Sequence, residues 1–401
     1  MEADKRKKRL SGAMAFVLLM SVVSLFSDMT HEGASSIMGA YLAMAGASAA
    51  AIGFVSGLGE FIGYALRLVT GIIADKTRRY WPMTIIGYII DCFAIPLLAL
   101  VPQGGWVWAC LIIVIQRTGK AIKKPAKDTM TSFAASQLGA GKGFAIQEML
   151  DQIGAFLGPV MLFLVMLIKR GNDTYEAYRL CLALLGIPAL ITVALVLFSR
   201  KKFPHPENFE PEEKTEEKLK LSKKFILYIA AISFVALGFV DFSLITMHVT
   251  RNSLISAENL PLLYAAAMLI DAAAAFVFGW VYDKRGMKVL VAAAVLTAGF
   301  SIPIFLFNTV GATVAGVLLW GVGMGAQESI LKSVITTIVP KSARAAGFGV
   351  FQTAFGAAWF AGSWVLGLLY DKSLLAFVIF SVAAQLVAAV LFALSAKAKD
   401  A

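Results

Sequence analysis

The sequence predicts an all-α membrane protein of twelve transmembrane helices, arranged as two pseudo-symmetric six-helix bundles, and three observations carry that prediction. Twelve apolar stretches, most of them twenty residues or longer, fill nearly all of the 401 residues. A helix needs about that length to cross roughly 30 Å of hydrocarbon, and a backbone in lipid must satisfy its own hydrogen bonds, which excludes isolated strands. Composition agrees: hydrophobic residues make up 59% and charged residues 15%, against about 25% charged in a soluble domain. The third observation is that the two halves of the chain echo each other.

The spans fall at 12–44, 50–74, 82–101, 106–136, 143–168 and 177–199, then 225–250, 260–282, 288–308, 311–338, 347–370 and 374–396. Turn residues such as Pro102-Gln103-Gly104-Gly105 and Gly171-Asn172-Asp173 separate them. Of 36 Lys and Arg, 29 sit on alternate tails, connections or span ends, five on the opposite side and two (Arg67, Lys332) within spans. That bias orients both termini toward the cytoplasm of a cell (inner) membrane. It also accounts for the net charge of +11 without a nucleic-acid partner. The basic start, Lys5 to Arg9, leads into a first span with no small-residue cleavage site, so it reads as a retained helix rather than a signal peptide. Cys92, Cys110 and Cys181 lie singly in apolar runs, which argues against a disulfide framework or a zinc site.

Residues 200–224 form a charged linker carrying Pro204, Pro206 and Pro211, and Glu210/Lys214 and Glu216/Lys220 stand at i,i+4 spacing. The linker divides an N-terminal bundle, 1–199, from a C-terminal bundle, 225–401. Gly71-Ile-Ile-Ala-Asp75-Lys76 follows span 2, and Gly279-Trp-Val-Tyr-Asp283-Lys284 follows span 8. Ser24-Leu-Phe-Ser-Asp28 in span 1 is echoed by Leu237-Gly-Phe-Val-Asp241 in span 7. A parallel six-plus-six repeat is one of the known carrier architectures.

On these motifs the chain resembles the major facilitator superfamily over essentially its whole length. Gly71, Asp75, Lys76 and Arg79 match the family's Gly-x-x-x-Asp-Arg/Lys-x-Gly-Arg/Lys signature, with Arg78 where a second glycine is usual. Gly279, Asp283, Lys284, Gly286 and Lys288 match its repeat. The resemblance implies a conformational latch built from Gly71, Asp75, Arg79, Gly279, Asp283 and Lys288, with Asp128 as the acid available to Arg79. Gly154-Ala-Phe-Leu-Gly158-Pro159 is similar to the first half of an antiporter pattern, without its trailing glycines. Arg117, Lys120 and Lys124, with Lys127, share a face of span 4 that either lines a cytoplasmic mouth for anionic groups or snorkels toward headgroups.

Ionisable residues inside spans are the sharper functional signal, because each costs about 2.5–3.5 kcal/mol at the bilayer centre. Asp28, His31 and Glu32 share a face of span 1; span 5 has Glu148 and Asp151; Asp241, Gln327 and Glu328 lie in spans 7 and 10. In the resembled family spans 1, 4, 7 and 10 line the central cavity. An acid out of water holds its proton more firmly, and histidine titrates near neutrality, so this set is expected to couple solute movement to protons. The expected function is a secondary active transporter working by alternating access, an exporter or antiporter of a small organic solute or drug-like compound. It is expected to be monomeric, driven by the proton gradient, and without a cofactor. A ferroportin-like exporter of divalent metal through Asp28, His31 and Asp241 is the alternative, and a non-transporting membrane sensor the alternative of another class. No nucleotide-binding loop, dinucleotide fingerprint or Ser/His/Asp order points to an enzyme.

Overall fold

The computed structural model describes residues 2–138, 140–171, 173–209, 222–339 and 344–398. Side chains are described except at 2–10, 75, 135–146, 283, 328–330, 332, 333, 336, 337 and 344–346. The described residues are helical, with no strand among them. Eleven helical spans among them are long and apolar enough to cross a membrane. Span 4, Trp106–Leu138, has the length as well, but Arg117 and Lys120, Lys123, Lys124 and Lys127 lower its hydropathy.

Span 1 is one helix, Glu2–Met44, which begins ten residues before the expected boundary. Span 2 is Ala49–Thr77, span 3 Tyr80–Leu97 with a short 3₁₀ turn, and span 5 Ala140–Ile168. Span 6 is two helices, Thr174–Leu184 and Gly186–Lys202, meeting next to Pro188, which has no N–H to offer the preceding turn.

Span 7 is also broken, into Lys223–Gly238 and Phe242–Arg251. The interruption leaves carbonyls that need donors in an apolar surround, and neighbouring spans supply them, with a further bond to Val235 O, which also accepts from Phe239 N at 3.0 Å. Trp320 Nε1 donates to Val240 O at 2.9 Å, Ser381 Oγ to Gly238 O at 2.8 Å and Gln385 Nε2 to Val235 O at 2.9 Å. Asp241 caps the second segment by accepting from Ser243 N at 2.9 Å. Span 8 is Leu260–Arg285, span 9 Lys288–Thr297 with Ser301–Phe305, span 10 Val310–Ile338, span 11 Arg344–Lys372 and span 12 Leu374–Lys397.

By contact the chain forms two compact units: residues 1–34, 66–101 and 108–213, and residues 35–65, 102–107 and 214–401. In the first, span 3 packs on both segments of span 6. A buried cluster around Phe16, Trp81, Tyr88 and Phe133 fills the centre. The start of the linker docks there: Phe203 and Phe209 pack on Phe16, and Trp81 Nε1 donates to Phe203 O at 3.0 Å. The charged linker run 210–221 lies outside the described residues.

In the second unit span 8 packs along span 10, and spans 11 and 12 along span 7. The later part of span 1 and the earlier part of span 2 belong to this unit. Phe54 packs on Phe360 and Trp364, Tyr64 packs on Phe355, and Ala50 N donates to Asp371 Oδ2 at 3.0 Å.

Candidate functional site

Helical spacing puts Gln116, Lys120, Lys123 and Lys127 along one side of span 4. What they meet is set by a close approach of span 3. A Cβ on Gly87 would lie 2.6 Å from Lys123 N, and one on Gly119 would lie 2.6 Å from Asp91 N, so both positions need glycine. Asp91, one turn beyond Gly87, is thereby held against span 4 with no solvent exposure.

Both oxygens of its carboxylate are engaged. Oδ1 accepts from Gln116 Nε2 at 2.6 Å, and Oδ2 takes His31 Nε2 at 2.8 Å together with the ammonium of Lys123. Lys123 also donates to Ser27 Oγ at 3.0 Å and sits 4.0 Å over the Tyr88 ring. Because the Gln116 amide nitrogen donates, its 3.3 Å contact with His31 Nδ1 makes that nitrogen the acceptor. The ring proton therefore lies on Nε2, and His31 is a neutral imidazole with both nitrogens engaged. A buried charge persists only when paired and hydrogen-bonded, and Asp91 and Lys123 meet both conditions.

A second close approach joins span 5 to span 1. A Cβ on Gly154 would lie 2.2 Å from Leu25 O, and one on Gly158 would lie 2.3 Å from Met29 O. This is the Gly154-to-Pro159 motif, and it brings Asp151, one turn before Gly154, beside Asp28, which lies between Leu25 and Met29. Charges acting on Asp28 include Asp151, Lys127, Glu32 and Lys120; those acting on Asp151 include Lys127, Glu148 and Lys124. Lys127 also donates to Ser24 Oγ. The result is a polar seam in which Ser24, Ser27, Asp28 and His31 of span 1 face Lys127, Lys123 and Gln116 of span 4, with Asp91 behind and Asp151 beside it.

The expected site residues are therefore distributed unevenly. Asp28, Glu32 and Asp151 are half-buried in one cluster, whereas Glu148 is exposed. His31 turns to Asp91. Arg117, Lys120 and Lys124 are half-buried while Lys123 and Lys127 are buried, so the basic face is directed at span 1 along part of its length. Asp241 caps its helix. Gln327 donates to Gly323 O at 3.2 Å and lines a small apolar pocket with Val235, Thr297 and Gln385. The Glu328 side chain lies outside the described residues, as do those of Asp75 and Asp283.

In the expected latch, Gly71 lies under Pro125, with 3.7 Å from its Cβ position to Pro125 Cβ. Arg79 and Lys288 are exposed, Asp128 is half-buried, and no ion pair joins Arg79 to Asp128. Gly279 has nothing within 4 Å of its Cβ position. Arg78 adopts φ +53° and Gly286 φ +59°, so both copies of the motif place a positive φ at this position, the first without glycine.

Sequence reasoning missed Asp91 and Gln116. Asp91 carries the signal used elsewhere, an acid within an apolar span; Gln116, being uncharged, carries none. Among the described residues, the three-donor grouping with metal-ligand chemistry is His31, Asp91 and Cys92, with ligand atoms within 4.8 Å of one another. Its carboxylate already carries an ammonium and two hydrogen bonds, and the ammonium repels a second cation.

A multi-pass helical membrane protein that buries paired charges at mid-span has the build of a solute carrier. Residues 124–363 and 231–400 match the model of the Major Facilitator Superfamily. The chain is 38% identical to an uncharacterized protein of Mycobacterium tuberculosis over 94% of its length and 92% of that protein. It is 25% identical to an uncharacterized MFS-type transporter of Methanocaldococcus jannaschii, over 89% of each. Among solved structures, the nucleoside transporter NupG superposes with a TM-score of 0.72 at 15% identity, covering 96% of this chain and 100% of that one. The chain belongs to the Major Facilitator Superfamily.

Proposed function

We propose that the protein is a proton-coupled secondary active transporter of a small organic solute, an exporter or antiporter working by alternating access. In this reading the protein is a monomer in the cell membrane with both termini cytoplasmic, and the proton gradient alone supplies the energy. The observation that carries it is the half-buried acid pair Asp28 and Asp151. The groups acting on one another there comprise four acids (Asp28, Glu32, Glu148, Asp151) and three lysines (Lys120, Lys124, Lys127). Two carboxylates so close in low dielectric repel when both are charged, and a bound proton relieves that repulsion. That proton is the coupling ion, released when the cluster is exposed to the less acidic side. His31, engaged at both nitrogens, orients span 1 and does not carry the proton.

The test is reconstitution into liposomes after a thermal-shift screen of nucleosides, sugars, amino acids and organic cations. Asp28→Asn is expected to keep solute counterflow, which needs no net proton movement, and to lose accumulation driven by a pH gradient. Gradient-driven accumulation at the wild-type level in Asp28→Asn would remove the pair from the mechanism.

A further inference from the structure

The Asp91 network lies behind the proposed proton site and is not itself part of it. Lys123 is bound to Ser27, the residue next to Asp28 in sequence. Tyr88, under the Lys123 ammonium, is acted on by Lys123, Asp28 and Asp151 together, and Cys92 by Lys123, Asp91 and Asp28. Lys123 therefore reaches span 1 at the residue before Asp28, and in this structure its ammonium is held by Asp91 on span 3.

We propose that Asp91 is a positioning residue that sequesters Lys123, keeping its ammonium off Asp28 so that Asp28 remains free to take up a proton. Three contacts fix Asp91 as the holder: the Gln116 and His31 donors aim its two oxygens, and the glycine contact of spans 3 and 4 fixes its backbone. Asp28 retains Lys127 and Lys120 from span 4, Asp151 from span 5 and Glu32 from its own helix as charged neighbours. Adding the Lys123 ammonium to that set favours the charged form of Asp28 and so opposes proton uptake. Asp91 thus sets the pH range of transport without touching solute or proton.

This inference rests on the proton-site reading, so its test has one arm that does not depend on transport. In purified full-length protein, melting temperatures of wild type, Asp28→Asn, Asp91→Asn and the double variant form a cycle. Losing Asp91 lets Lys123 pair with Asp28, so Asp28→Asn is expected to lower the melting temperature by about 3 °C more in the Asp91→Asn background than in wild type. Equal effects in the two backgrounds would overturn the proposal whatever the coupling ion.

In liposomes, Asp91→Asn is expected to move the pH midpoint of gradient-driven transport about one unit toward acid, because an ammonium beside Asp28 favours its charged form. Adding Lys123→Gln to it restores the wild-type midpoint. A merely structural Asp91 would lower the rate at every pH and leave the midpoint in place. Lys123→Gln alone keeps Asp91 bonded to His31 and Gln116 and serves if Asp91→Asn does not fold. An unmoved midpoint is expected there, and an alkaline shift, the mark of a lysine already acting on Asp28, would refute sequestration. A wild type without pH-dependent transport refutes the coupling reading and leaves the melting cycle to judge Lys123.

Discussion

Replacing Gly154 and Gly158 by alanine tests whether span 5 owes its position to the absence of side chains. The added Cβ atoms would fall 2.2 Å from Leu25 O and 2.3 Å from Met29 O. Both obstacles are backbone, which no rotamer change moves aside, and an ordinary contact requires span 5 to withdraw from span 1 by about 1 Å at both points. Overpacking of this kind costs about 1–3 kcal/mol per site. The two sites share one interface, so their costs are not simply additive. The same withdrawal separates Asp151 from Asp28, so gradient-driven transport is expected to fall further than counterflow. Thermal unfolding in detergent and the two transport modes in liposomes give the readouts. Gly63→Ala is the control, because nothing lies within 4 Å of its Cβ position; it is expected to be neutral or stabilising by up to about 1 kcal/mol. A Gly154→Ala/Gly158→Ala protein that melts and transports like wild type would refute the packing argument and, with it, the account of how the acid pair is assembled.

Arg78→Gly is expected to stabilise by up to about 1 kcal/mol, since φ +53° is costly for a residue with a Cβ and glycine's extra unfolded-state freedom offsets part of the gain. Arg78→Val should destabilise; identical melting of the two variants would mean that the turn carries no strain. Asp241→Ala is expected to lower stability by about 1 kcal/mol, the usual value of an N-cap, with the pH profile of transport unchanged. A shifted profile would return Asp241 to the coupling machinery.

Much of the fold was legible because length and hydropathy are local properties. The twelve spans needed no tertiary information, and the Gly-x-x-x-Asp-Lys echo marked the half-repeat. The breaks in spans 7 and 9 were invisible for the same reason. Phe239-Val240-Asp241 is as apolar as its surroundings apart from the acid, and the donors that make the interruption tolerable, Trp320, Ser381 and Gln385, come from spans 80 to 150 residues away. An acid at such a break also caps a helix, as Asp241 does by accepting from Ser243 N, a role invisible when only its span is known.

The site divides along a related line. Asp28, Glu32 and Asp151 stand out in the sequence because charge inside lipid is costly wherever it stands. Asp91 incurs the same cost in span 3, and its partners there, Gln116, His31 and Lys123, come from other spans. The consequence reaches His31. With Asp28 and Glu32 on its own face of span 1, its sequence neighbours suggested an acid-histidine relay. With Asp91 and Gln116 in place, both ring nitrogens are directed at spans 3 and 4. A charge within a span says that a partner exists; only the packing of glycines at 87, 119, 154 and 158 decides which partner it gets. In this chain those four contacts, more than the charged residues themselves, separate the buried Asp91 anchor from the half-buried pair Asp28 and Asp151.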